Sequence, residues 1–119
     1  MTGLSKEKFV VSHKKMLEKS FNDLRKKGWF ARHSFLDNPG KAWLNLEENG
    51  RANKCVFYTL YDANTAFKIP QTKFGPGMPS FLENPLEIHY NGNISEIMQV
   101  LKKNGLEVEI ENNKLYIVP

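Results

Sequence analysis

The chain has 119 residues, 40% hydrophobic and 25% charged, which suits a single domain with a buried core of its own. Its formal net charge is +4, and its one cysteine, Cys55, excludes an internal disulfide and a cluster of thiolate metal ligands. No window holds the roughly 18 apolar residues of a membrane span, and the first residues show neither an apolar signal core nor a small-residue cleavage site, so the expected location is the cytoplasm.

Charge is unevenly spread. Through His33 there are nine Lys and Arg against three Asp and Glu, and the remainder carries eight against ten. A basic first third suits a polar partner surface and equally suits a solvated helix face. A helix is expected from Ser5, whose hydroxyl can accept from first-turn amides. Val10, Leu17, Phe21 and Leu24 recur at helical spacing, and Phe9 and Met16 widen the stripe. Lys26, Lys27 and Gly28 supply the cations and the left-handed residue that end it. His13 falls at the edge of the apolar stripe.

Trp29 to Phe35 reads as a strand. Alternation puts His33 with Trp29 and Phe35, and Arg32 with Phe30 and Ser34, so one of the adjacent pair turns inward. Asp37 or Asn38 caps a short helix with Pro39 in its first turn and Asn49-Gly50 at its end, with Ala42, Trp43 and Leu46 on one face. Residues 54–61 are apolar on both faces, with Val56, Tyr58 and Leu60 on one and Cys55, Phe57 and Tyr61 on the other. That is the pattern of a central strand covered on both sides. Asp62 is expected to cap a helical turn over 63–67. Four prolines and two glycines then make 68–85 a long loop carrying Phe74, Met78 and Phe81, either pinned to the body or used for binding.

The last third is the clearest. Residues 86–90 form a strand with His89 on the side away from Leu86, Ile88 and Tyr90, beside Glu87, on what reads as an exposed sheet face. Asn93 and Glu96 have capping-box spacing before a helix with Ile94, Ile97, Met98 and Leu101 on one face. Residues 106–111 alternate, and Asn112-Asn113 suits a two-residue hairpin turn. Setting Glu111 opposite Lys114 pairs Ile110 with Leu115 and Val108 with Ile117 on the buried face. Glu107, Glu109, Tyr116 and Val118 then show on the outer face. The fold class is α+β: a mixed sheet in one domain, a long N-terminal helix and a second helix packed on it, and a C-terminal hairpin.

No catalytic constellation stands out. The three histidines, His13, His33 and His89, have no metal-site spacing among themselves and no ligand-spaced carboxylates beside them, so no metal and no cofactor is expected. Cys55 enters a buried strand, where a thiol is inert. A catalytic reading needs the fold to gather Arg32, His33, Tyr58 and Asp62 or His89 into one pocket. Nucleic acid is a further class: Lys14, Lys15, Lys26 and Lys27 offer phosphate contacts with Trp29 just beyond, although Glu7, Glu18 and Asp23 interrupt the run. Protein binding is the other, through the Glu107, Glu109 and Tyr116 face and the aromatic-bearing loop.

Gly28, Ala31 and Arg32, the strand KCVFY with its following Asp62, LEIHYNG and the closing helix-hairpin together resemble a family of uncharacterised bacterial proteins, a domain of unknown function. The likeness covers most of the chain and implies a fold but no activity. In that family the segment after the Ala-Arg strand is cysteine-rich. Here it reads Leu36-Asp37-Asn38-Pro39-Gly40, so a thiol-borne role does not carry over, and the proline loop stands as an insertion. The functional expectation is a small non-enzymatic module that masks or regulates a protein partner, of the immunity or antitoxin kind, the partner then being a toxin. The alternative is a nucleic-acid-binding accessory protein using the basic helix.

Overall fold

A computed structural model describes residues 12–67 and 81–119. Ser12 takes extended backbone, and its hydroxyl accepts from the Lys15 amide at 3.3 Å, so α1 runs His13–Lys26. The helix expected to pass unbroken from Ser5 is interrupted here, because a serine side chain satisfies first-turn amides best from outside the helix. Ser5, Phe9, Val10, Phe74 and Met78 lie outside the described residues. Gly28, at φ 92°, lets the Trp29 amide reach back to the Leu24 carbonyl at 3.0 Å. This left-handed closure turns the chain from α1 into β1, Phe30–Phe35, with Trp29 already in the core.

α2, Pro39–Glu48, is capped by the Asn38 side chain, which accepts from the Lys41 amide at 2.9 Å. It forms the crossover that a parallel strand pair requires and leads into β2, Cys55–Thr59. Every residue of β2 is buried, as its two apolar faces predict. The strand ends two residues sooner than expected: Leu60 and Tyr61 belong to α3, Leu60–Ala66, and Tyr61 is exposed. β3, Leu86–Asn91, α4, Ile94–Lys103, and the hairpin β4, Glu107–Glu111, and β5, Lys114–Val118, complete the order.

The five strands lie in the order β1-β2-β3-β5-β4, with β1 and β2 parallel and the other pairs antiparallel. On one face Val56, Tyr58, Leu86, Ile88, Leu115 and Ile117 meet Leu17, Phe21 and Leu24 of α1 and Ile97 and Leu101 of α4 in the main core. On the other, Phe35, Cys55 and Phe57 meet Ala42 and Leu46 of α2 in a smaller one. Each large apolar side chain so buried contributes about 1.5–3 kcal/mol. Phe35 is on the α2 side and not with His33, because the β1–β2 register shifts between Arg32 and Phe35. Such a bulge reverses the alternation beyond it. The hairpin has the expected register, with Ile110 opposite Leu115, Val108 opposite Ile117 and Glu111 opposite Lys114, but Ile110, expected on the buried face, is 50% exposed on the edge strand. Among the described residues no helix is long and apolar enough to cross a membrane.

Candidate functional site

At the end of β2, Thr59 turns the chain into α3. Its hydroxyl accepts from the Asp62 amide at 3.1 Å. The Asp62 carboxylate reciprocates: Oδ2 accepts from the Thr59 amide at 3.0 Å and from the Thr59 hydroxyl at 2.8 Å. Asp62 is thus not the cap of a turn beginning at Ala63. It is the third residue of a helix that Thr59 caps, its carboxylate held at the end of the sheet.

The same oxygen has another partner. β3 sets His89 opposite Phe57 of β2, on the α2 side of the sheet. The imidazole stacks on the Phe57 ring with centroids 5.0 Å apart, and Trp43 of α2 meets Phe57 edge-on. His89 Nε2 lies 2.9 Å from Asp62 Oδ2, and Nδ1 lies 3.5 Å from Glu87 Oε2. The His89 and Asp62 side chains are each only 10% exposed. His89 is therefore not on an open sheet face, because α2 and the first turn of α3 close over it.

Burial pushes the Asp62 carboxyl up, but hydrogen bonds from His89 and from the Thr59 amide and hydroxyl outweigh it and hold the group below the usual carboxylate value. Asp62 is ionised at neutral pH and can only accept, so His89 Nε2 carries a hydrogen. Glu87, two residues before His89 on the same strand face, sits at the other ring nitrogen. Asp62, Glu87 and His89 each offer a ligand-type atom, and the three atoms lie within 4.8 Å of one another. The expectation that no histidine has a ligand-spaced carboxylate is overturned by that i, i+2 spacing on a strand. A hollow of about 330 Å³ opens beside the group, lined by Trp43, Glu87, His89, Asn91, Asn113 and Lys114.

No protein family, curated protein or solved structure matches this chain. The site is read from its own chemistry. Of the residues singled out in the sequence, the fold brings together Asp62 and His89 and adds Glu87. Arg32 and His33 point to opposite sides of β1. Arg32 is exposed with its guanidinium 4.7 Å above the Phe35 ring, and His33 is half-buried near Phe21. Burial first, then Arg25, Lys14 and Arg32 against the opposing pull of Glu18, holds the His33 imidazole below its ordinary value. Tyr58 is in the main core with its ring 5.8 Å from Phe21. Arg32, His33, Tyr58 and the Asp62–His89 pair therefore do not share a pocket.

Trp29 is 3% exposed, and its indole N–H donates to Glu96, so its ring offers no face on which a base could stack. Lys15, Lys26 and Lys27 are exposed and Lys14 is half-buried. Phe81 is exposed and meets His13 edge-on at 5.6 Å. The Cys55 thiol is buried and pushed up to about 11, which keeps it protonated and inert. On the outer hairpin face Glu87, Tyr116 and Glu109 form one cross-strand row, with Glu107 opposite Val118 in the next.

Proposed function

We propose that the chain is a small protein-binding module that masks or regulates a partner, of the immunity or antitoxin kind, and that it docks through the β3-β5-β4 face opposite α1 and α4. The observation that carries this reading is the Glu87–Tyr116–Glu109 row. Glu107 and Glu111 extend it, and Lys114 is the one cation on those three strands' outer face among the described residues. Four carboxylates around a half-buried tyrosine complement a basic protein surface, and tyrosine anchors interfaces well.

The test is capture from the native host, or with the neighbouring gene's product, comparing the wild-type chain with Glu107→Lys/Glu109→Lys. Stoichiometric capture of a basic protein by the wild type, lost on charge reversal, supports the reading. Background without stoichiometry, or capture indifferent to the reversal, overturns it.

One observation favours nucleic acid as the second reading. Lys15 and Lys19 of α1 and Lys103 of α4 line one hollow of about 560 Å³, and Lys26 continues the same helical face. Binding through these lysines falls steeply with salt, and replacing Lys14, Lys15, Lys26 and Lys27 flattens that slope. No binding at low salt ends this reading.

A further inference from the structure

We infer that Glu87 and His89, backed by Asp62, form a binding site for a divalent transition-metal ion of the zinc class. This goes beyond partner docking and does not depend on it. Asp62 takes the hydrogen on Nε2, which in a neutral imidazole leaves the Nδ1 lone pair facing Glu87. A lone pair and a carboxylate oxygen repel one another unless a positive occupant sits between them. The 3.5 Å separation of Nδ1 from Glu87 Oε2 is longer than a normal N–H···O hydrogen bond. A metal ion fits it: ligand bonds of about 2.0–2.2 Å at tetrahedral angles set neighbouring ligand atoms roughly 3.3–3.6 Å apart.

The surroundings are those of a metal-binding histidine. Such a residue gives its second ring N–H to a carboxylate, which fixes its tautomer and strengthens it as a donor. Asp62 does this for His89, and the Thr59 amide and hydroxyl hold Asp62 in turn. Phe57 stacks on the imidazole and limits its rotation. Glu87 and His89 both border the 330 Å³ hollow, which leaves the outer coordination positions to water or to an incoming group. One nitrogen and one carboxylate oxygen at a tetrahedral edge favour zinc-class ions over calcium, which takes six to eight oxygens, and over magnesium, which keeps octahedral oxygen ligands.

The experiment is calorimetric titration of the EDTA-treated full chain with Zn²⁺ and, separately, Mg²⁺, followed by visible absorption with Co²⁺ as the spectroscopic substitute. One Zn²⁺ per chain is expected, with ligand-field bands from Co²⁺ that Zn²⁺ abolishes and Mg²⁺ does not. Glu87→Gln removes a ligand at the rim of the hollow and lowers Zn²⁺ affinity by at least about 10-fold, while Asp62→Asn lowers it about 10–100-fold through the lost orienting bond. Asp62→Asn also touches the helix cap. If that variant does not fold, Glu87→Gln, with its circular dichroism unchanged, decides alone. No 1:1 binding overturns the assignment, and so does Zn²⁺ affinity unchanged in a folded Glu87→Gln chain, which would place the ion on His13, His33 or another group.

Discussion

The indole N–H of Trp29 donates to the carboxylate of Glu96, joining the entry of β1 to the first turn of α4, 67 residues further on. The Asn93 side chain still accepts from the Ser95 and Glu96 amides at 2.9 and 3.4 Å, so only one half of the expected capping box is present. Glu96 is drawn instead to a buried donor that would otherwise have no partner. Lys54 adds to the tie, its ammonium 5.4 Å above the Trp29 ring and 4.0 Å from Glu96. A hydrogen bond to a charged group contributes about 1.5–3 kcal/mol, and the partial exposure of Glu96 reduces that. Glu96→Ala is expected to cost about 1–2 kcal/mol in urea denaturation, and Glu96→Gln less, since an acceptor remains. A double-mutant cycle with Trp29→Phe should give a coupling of about 0.5 kcal/mol or more. Additive losses would mean that the two side chains do not support each other.

Gly92 lies beneath the same indole. Its φ is 127°, and a Cβ added there would come within 2.7 Å of Trp29 Cη2. A side chain at this position is strained by the backbone and collides with a ring that the core holds in place. Gly92→Ala should destabilise the fold by more than about 2 kcal/mol. Adding Trp29→Leu should recover part of that loss, because only the steric component is relieved. A denaturation midpoint unchanged in Gly92→Ala would show that the indole can move aside.

These contacts mark the boundary of what the sequence made legible. The hairpin register followed from side-chain alternation and a two-residue Asn turn, both local, and every expected pair is present. The α2 cap at Asn38 was equally local. Phe35 lies on the side opposite to that expected, because a bulge leaves no mark in an alternating pattern. Thr59-x-x-Asp62 is a capping box in plain view, but the apolar run through Tyr61 masked the end of the strand. His89 looked exposed because its cover comes from Asp62, Phe57 and Trp43, all more than 25 residues away. The Glu87-x-His89 spacing is present in the sequence, but it takes the cover of α2 and the reach of Asp62 from the end of β2 to enclose it.

His13 gives the chain a pH-dependent contact. Its Nδ1 accepts from the Leu82 amide at 2.8 Å, and Leu82 bridges to Phe67 at the end of α3. Burial holds the His13 imidazole below its ordinary value, so the folded chain favours the neutral ring. The stability this contributes is fully present above about pH 6.5 and is lost as pH falls through the lower folded value. His33, lowered chiefly by its own burial, acts in the same direction. The Leu82 amide should therefore lose hydrogen-exchange protection, corrected for intrinsic rate, between about pH 7 and pH 5. In His13→Gln the side-chain oxygen can still accept but does not titrate, so protection should persist at the acid end. Equal loss in both chains would assign the effect to another group.

The hairpin turn allows the sharpest test of local chemistry. Asn112 and Asn113 have φ of 52° and 64°, so both central residues occupy the left-handed region that a type I′ turn demands. Asparagine tolerates that region and glycine prefers it, whereas a β-branched residue is strongly disfavoured there. Asn113→Gly should be neutral or stabilising by up to about 1 kcal/mol, and Asn112→Val destabilising by about 1–2 kcal/mol. The turn also fixes the register that keeps Val108, Leu115 and Ile117 on the helix side and Glu107, Glu109 and Tyr116 on the other. A slip of one residue would exchange those faces, burying the carboxylates and exposing the apolar set. Asn112→Val should therefore weaken partner capture by more than its loss of stability explains, while Asn113→Gly leaves capture intact. If Asn112→Val lowered stability and capture in strict proportion, the turn would contribute stability alone and would not present the acidic face.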